Sequence, residues 1–324
     1  MSTQDAQPRP LSKLPSFNIE LAAPNLAPWR AGNCGVLGVT SFVAEAPGPH
    51  VALMALMHGN EFAGAIVLAR MLADGVQPTR GRLSFIFANL DAFDRFDPDN
   101  PTHSRFCDED LNRVWDSATL DGPRQSSELS RARQLRPWLD TVDVLLDLHS
   151  MLWPSDPLIL CGLPEKARVL ALAIGAPKLV VADAGHVGGR RLIDYARFAD
   201  PATPARALLV EAGQHWAQST VDVTERAVAG LFRASDHGEA TPSATSILAE
   251  VTATITAASA SFIFLQPYRG GEIIAHRNTL IAMDGNTEVR TSHDNCLLVM
   301  PSLRPSRGHT AVRLARLLTV GDGR

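Results

Sequence analysis

Along the chain, apolar residues gather in short runs separated by polar turns, and the spacing of those runs sets the first expectations. Residues 51–57, VALMALM, are continuously apolar; HGNE follows, and FAGAIVLARML then places apolar residues at helical spacing. A strand turning directly into a helix is predicted there. Further apolar runs at residues 83–88, 142–148, 158–160, 179–182 and 207–210 predict strands, most of them separated by helical or loop-like stretches. Helices are predicted at residues 127–138, 165–174 and 221–234, the last with Thr220 as its N-cap. This alternation predicts an α/β fold built on a mainly parallel or mixed sheet.

The pattern changes near Ala234, where SDHGEATPSAT gathers polar residues, Gly and Pro between two apolar segments. Ile247, Ala249, Val251, Ala253 and Ile255 then alternate with Leu248, Glu250, Thr252, Thr254 and Thr256, the period of a half-exposed strand. Short strands are predicted to continue at residues 262–265, 272–275, 280–283 and 296–300, divided by Gly, Asn and Asp turns. Residues 1–238 are therefore expected to form an α/β domain and residues 239–324 a small all-β domain. No repeat of solenoid length is present.

A chain of 324 residues has room for two such domains. Lys and Arg number 30 against 34 Asp and Glu, for a net charge of -4, and no basic run exists that would neutralise a phosphate backbone, which excludes nucleic acid as the expected partner. No apolar run approaches the roughly 20 residues of a membrane helix. The first 20 residues, with Pro8, Pro10 and Pro15, lack the apolar segment of a signal peptide, so a soluble, cytoplasmic protein with no membrane partner is expected. Cys34, Cys107, Cys161 and Cys296 stand singly with no CxxC pair, the spacing of reduced thiols. The sequence leaves homo-oligomerisation open.

Candidate chemistry falls in four places. His58 and Glu61 sit at the carboxyl end of the first predicted strand and the start of its helix, where open α/β sheets bind ligands. An imidazole and a carboxylate at that spacing can share one metal ion; alternatively His58 is a loop residue and Glu61 rests near a helix N-terminus. His149 lies at another strand end, with Asp147 two residues earlier and so on the same side, where it would orient an imidazole. A satisfied buried histidine is the plainer reading, yet two strand-end histidines and a carboxylate meet the ligand count of a catalytic zinc site.

Glu211 ends a third apolar strand, in partly apolar surroundings that suit a group taking a proton from water and delivering it to a leaving amine; pairing with a neighbouring Arg is the alternative. His215 is a weaker candidate. The fourth place is SRFCDEDLNR, residues 104–113, where Arg105, Asn112 and Arg113 offer donors that match a carboxylate, or a solvated cluster in which Arg113 pairs with Asp108 or Asp110.

In the order HGNE, RFCDEDLNR, DLHS and EAG, over residues 50–215, the chain resembles the succinylglutamate desuccinylase and aspartoacylase family, relatives of zinc carboxypeptidases. The resemblance implies a zinc-carboxypeptidase-like α/β domain, a mixed sheet flanked by helices, with the C-terminal β domain capping the active site. It implies one Zn2+ per chain held by His58, Glu61 and His149, with Glu211 as general base and acid. It further implies Arg105 polarising the scissile carbonyl, Asn112 and Arg113 gripping a substrate carboxylate, and Asp110 supporting their loop. The implied activity is hydrolysis of the amide bond of a small N-acyl amino acid or related N-acylated carboxylate. A metallocarboxypeptidase acting on peptide C-termini and a non-catalytic binding protein on the same scaffold are the alternatives. Two departures stand out: Asn89 is followed by Leu90 where the family usually has Pro, and neither Tyr195 nor Tyr268 sits in a matching acyl-pocket motif. Arg190 and Arg191, after two glycines, read as a further pocket cation or a surface turn.

Overall fold

The computed structural model describes residues 14–236 and 241–318, which divide into two compact units. The larger comprises Asn18–Met151 and Pro157–Leu248. Its strands are β1 (Val39–Val43), β2 (His50–Ala55), β3 (Arg82–Phe87), β4 (Val144–Met151), β5 (Leu158–Leu160), β6 (Leu179–Ala182) and β7 (Arg206–Gln214), ordered β1-β3-β2-β4-β7-β5-β6. β3, β2, β4 and β7 run parallel. β1 is antiparallel to β3, and β5, parallel to β6, is antiparallel to β7. The sheet is therefore mixed.

Helices α1 (Ala63–Ala73), α4 (Ser127–Leu139), α5 (Glu165–Ile174) and α7 (Gln218–Asp236) supply the cover, with short turns of helix at α2 (Leu90–Phe93), α3 (Ser117–Asp121) and α6 (Ala196–Ala199). α7 packs against α1, α5 and β7, and α1 against β2. Thr220 is not the N-cap of α7, which begins two residues earlier; it is fully buried in the first turn, and its hydroxyl donates to the Gln214 carbonyl at 2.6 Å. β4 and β7 both outrun their apolar stretches. Their pairing continues through His149 and Glu211, so polarity there marks chemistry inside a strand rather than the strand's end.

The second unit holds Leu152–Asp156, the residues from Ala249 onward and the described residues ahead of Asn18. Its strands β8 (Ile247–Thr256), β9 (Phe262–Phe264), β10 (Ile273–Ile274), β11 (Leu280–Asp284), β12 (Thr287–Arg290), β13 (Cys296–Val299) and β14 (Thr310–Leu318) include two that the apolar pattern does not announce. β12 is mostly polar, and β14 carries a buried Arg313 amid its apolar residues. β8, β14, β13 and β10 are neighbours in that order, and β12, β11 and β9 form a separate sheet. Phe262, Phe264, Tyr268, Ile281, Leu298 and Val312 fill the core of this unit. Asp156 joins it through its own N–H, given to the Gly270 carbonyl at 2.8 Å, and through the Arg269 ion pair. The boundary expected at residues 238 and 239 lies outside the described residues; the division by contacts falls between Leu248 and Ala249. Among the described residues no helix is long and apolar enough to cross a membrane, and the four cysteines are free.

At the amino end of β2, His50 is buried with both ring nitrogens engaged: Nε2 by Ser84 Oγ at 2.7 Å, Nδ1 by Thr141 Oγ1 at 3.0 Å. Burial, with the Arg82 charge and more weakly Arg197, lowers its pKa to about 4 against the opposing Thr141 carbonyl and Asp143. An unfolded chain takes up this proton near pH 6.5, so the stabilisation is complete above that pH and is lost as pH falls toward 4, by up to roughly 3 kcal/mol. Urea midpoints followed from pH 7 to 4 are expected to fall less steeply in His50→Gln than in the parent; identical slopes would exclude His50 as a source of acid lability.

Candidate metal centre and active site

The HGNE turn is shaped by backbone before any ligand chemistry enters. Leu56 leaves β2 in the left-handed region at φ 61, a strained conformation for a side chain of its size. A Cβ on Gly59 would lie 2.4 Å from backbone atoms of Ala92 and Phe93 and 2.5 Å from the Ser104 carbonyl oxygen, so only glycine fits. The Gly59 N–H donates to the Arg105 carbonyl at 3.1 Å, and the Trp216 indole N–H to the Asn60 carbonyl at 3.2 Å. Segments far apart in sequence thus hold the turn that carries His58 and Glu61.

His149 reaches the same point from β4, a strand in which every residue is buried, Asp147 and Ser150 included. Glu61, 2% exposed, places Oε1 2.7 Å from His58 Nδ1 and Oε2 3.0 Å from His149 Nδ1. The donor atoms of the three residues all lie within 4.8 Å of one another. Each imidazole is backed by a carboxylate at its other nitrogen, Asp147 at 2.9 Å from His149 Nε2 and Asp110 at 2.9 Å from His58 Nε2. Such partners fix ring orientation and tautomer around a metal. Asp110 does more than support its loop, although it does that too, accepting the Asn112 N–H at 2.8 Å.

His58 Nε2 also lies 2.9 Å from Arg105 Nη2. A guanidinium only donates, so one ring nitrogen cannot serve both neighbours. His58 Nδ1 meets the Glu61 carboxylate at 2.7 Å while Nε2 faces Asp110, so the Nδ1 edge of the ring is the one turned toward the shared metal position. Arg105 keeps Glu61 Oε1 at 2.9 Å and Asp110 Oδ2 at 3.2 Å. Two Nδ1 atoms and one carboxylate, buried and converging, fit the nitrogen and oxygen donor set of zinc.

Burial pushes the Glu61 carboxyl up, but His58 and His149 outweigh it and hold the group well below the usual carboxylate range. Asp110 is held low in the same way, with burial outweighed by His58 and Arg105. For His149, burial is overcome by Asp147 and Glu61, so the imidazolium persists well above the ordinary histidine range.

Glu211 stands beside this cluster by register. It is the direct partner of His149 across the parallel β4–β7 pair, it is buried, and its charge helps to hold the Arg105 guanidinium protonated. The Arg105 side chain is 36% exposed, open on one side. Asn112 accepts the Leu192 N–H on Oδ1 at 2.8 Å, which fixes the amide so that its NH2 is the end left for a ligand. The Arg113 guanidinium lies 3.9 Å from Asp110 Oδ2 and donates to His186 Nε2 at 3.1 Å. The four sequence clusters thus meet at one end of β2, β4 and β7.

The model of the succinylglutamate desuccinylase/aspartoacylase catalytic domain matches residues 47–235. The chain belongs to this family. Aspartoacylase from Rattus norvegicus is 29% identical over 123 residues, a stretch that is 35% of this chain and 37% of that relative's length. The fold is shared with succinylglutamate desuccinylase from Vibrio cholerae, at 20% identity over 86% of this chain and 85% of that one, with a TM-score of 0.69. A succinylglutamate desuccinylase/aspartoacylase from Rhodobacter sphaeroides matches at 18% identity and TM-score 0.63, covering 87% of this chain and 89% of its own.

Within this deacylase family member, several residues that the sequence leaves undecided find structural employment. Arg191 is neither a pocket cation nor part of a surface turn. It is 1% exposed, paired with Asp183 at 2.7 and 3.0 Å and with Asp194 through Nε at 2.7 Å. Arg190 gives Nη1 to the Asp194 carbonyl. The Tyr195 hydroxyl donates to Asp140 at 2.6 Å, and Tyr268 belongs to the core of the β unit. Asn89, where the family pattern departs, caps α2 through the Ala92 N–H. Sequence reasoning missed Ser150, whose N–H donates to Glu61 Oε2 at 3.1 Å while its hydroxyl meets His215 Nδ1 at 2.8 Å. The S of DLHS was the available signal. Burial lowers the His215 pKa to about 4, with Arg105, His58 and His149 adding to burial against Glu61.

A metal entering this cluster must displace the proton that Asp147 and Glu61 hold on His149, so binding weakens as pH falls. Competition with a chromophoric chelator is expected to show zinc affinity rising with pH through the neutral range, with net proton release; pH-independent affinity would contradict the charge state described for the cluster.

Proposed function

We propose that this chain is a zinc-dependent hydrolase that cleaves the amide bond of a small N-acyl amino acid or a related N-acylated carboxylate. The observation that carries the reading is the register of His149 against Glu211, which sets a buried carboxylate beside a His–Glu–His cluster already faced by Arg105. Zinc bound by His58, Glu61 and His149 would supply a Lewis acid that lowers the pKa of water and polarises the amide carbonyl.

The chain's own residues do the rest. Glu211 takes the proton of the attacking water and returns it to the nitrogen of the leaving amine. Arg105, open on one side, donates to the carbonyl oxygen as negative charge develops there. The NH2 of Asn112 and the fork of Arg113 hold a carboxylate on the amine side, which orients the scissile bond. Membership of a deacylase family supports amide hydrolysis over peptide trimming, and the complete set of charged groups supports catalysis over simple binding.

Three variants test the assignments. His149→Ala is expected to lose the roughly one equivalent of zinc per chain carried by the parent, measured by atomic emission after dialysis; full retention would refute the ligand set. Glu211→Gln should keep its fold and zinc while turnover of an N-acyl amino acid drops by about 10²- to 10⁴-fold, and unchanged turnover would remove Glu211 as the base. Arg113→Ala should lower kcat/KM on free-acid substrates by about 2–5 kcal/mol of transition-state stabilisation, roughly 30-fold or more. Amide-blocked analogues should already be poor for the parent and lose little more; equal parent efficiency on both classes would sink the carboxylate clamp.

A further inference from the structure

One buried carboxylate of the larger unit has no part in the mechanism above. Glu128, in the first turn of α4, is fully buried yet lies among backbone N–H groups rather than cations. Its Oε1 accepts the Cys107 N–H at 2.6 Å and Asn89 Nδ2 at 3.0 Å; its Oε2 accepts the Asp108 N–H at 3.0 Å and the Glu109 N–H at 3.2 Å. Burial raises the carboxyl pKa, but the Cys107 N–H, Asn89 and the other two N–H groups outweigh it and keep the group ionised. Three successive amides closing on one anion form a nest with the side chain as its ligand.

The grip is returned from the loop. Asp108 Oδ2 accepts the Ser127 N–H at 2.7 Å and the Ser127 hydroxyl at 2.6 Å, and Glu109 takes the Ser126 hydroxyl and pairs with Arg124. The clamped residues, 107–109, are the link between Arg105 on one side and Asp110, Asn112 and Arg113 on the other. Asn89, the fourth donor to Glu128, caps α2, whose Ala92 and Phe93 press on Gly59 of the HGNE turn.

We propose that Glu128 is a positioning residue of the active site: by chelating the N–H groups of residues 107–109 it sets the separation and aim of Arg105 and of the Asp110–Arg113 element. The inference rests on the functional reading above for the role of Arg105. A misplacement of Arg105 of the order of 1 Å is enough to change turnover about 10²-fold, with no loss of the metal ligands themselves.

Glu128→Gln removes the charge and turns an NH2 toward amides that need an acceptor. Glu128→Asp keeps the charge with a shorter reach and serves if the Gln variant does not fold. Hydrogen exchange read by mass spectrometry is expected to accelerate in residues 105–113 and to stay unchanged in peptides of β4 and β7. On a free-acid N-acyl amino acid kcat should fall about 10- to 100-fold, and the loss in the double variant Glu128→Gln/Arg105→Ala should be well short of the product of the two single losses, because part of the Glu128 effect runs through Arg105. Unchanged exchange at residues 105–113, uniform acceleration across the chain, or a fully additive double variant would each overturn the proposal. If Arg105→Ala turns over at the parent rate, the functional reading of Arg105 fails and this inference with it, while the exchange pattern still decides whether Glu128 holds the loop.

Discussion

A carboxylate taken out of water must be matched by hydrogen bonds and opposite charge or give up its ionised state, and Glu61 imposes that condition on the larger unit. Its two oxygens face the Nδ1 atoms of His58 and His149, and Arg105 and the Ser150 N–H complete the shell. Each partner then needs its own support, which brings in Asp110 behind His58 and Asp147 behind His149. Two rings held in this way keep a fixed orientation, so that a metal displacing the His149 proton meets nitrogens already aimed at it.

The sheet supplies convergence and the loops supply aim. Parallel pairing of β2, β4 and β7 brings the HGNE turn, His149 and Glu211 to one edge, and a shift of one residue between β4 and β7 would turn Glu211 to the opposite face from His149. Strand register cannot fix Arg105, Asn112 and Arg113, which lie on a segment with only single turns of 3-10 helix at His103–Arg105 and Leu111–Arg113. That segment is held instead by the Glu128 carboxylate, by Asp110 and by the Leu192 N–H on Asn112. The loop that delivers Leu192 is itself anchored by the buried Arg191 pair, where loss of one partner would strand a charge out of water.

Much of this was legible in residue order. The apolar runs located β2, β3, β5 and β6 to within a residue or two, and helix spacing located α1, α4 and α5, because an element that buries one face must repeat apolar residues at its own period. Elements whose faces carry polar or charged side chains were harder to read. β1 is interrupted by Thr40 and Ser41, β12 is mostly polar, β14 is broken by Arg313, and the far ends of β4 and β7 are polar for chemical reasons. Thr220 looked like a cap since hydroxyl residues favour helix starts, but in the fold its hydroxyl closes a contact with Gln214 from inside the helix.

The sequence by itself determined the class of fold and which residues are chemically able to form a metal and proton-transfer site, since those follow from local period and residue type. Only the tertiary structure decided the contacts between residues distant in the chain. It made Arg191 a buried structural cation instead of a pocket residue, drew Leu152–Asp156 into the β unit, set Asp110 behind His58, and turned Glu128 from one more acidic residue of a helix into the anchor of the Arg105 loop. A charged residue reads alike on a solvated face and in a buried nest; the difference lies in which donors the folded chain brings within 3 Å or so of it, and spacing along the sequence does not encode that.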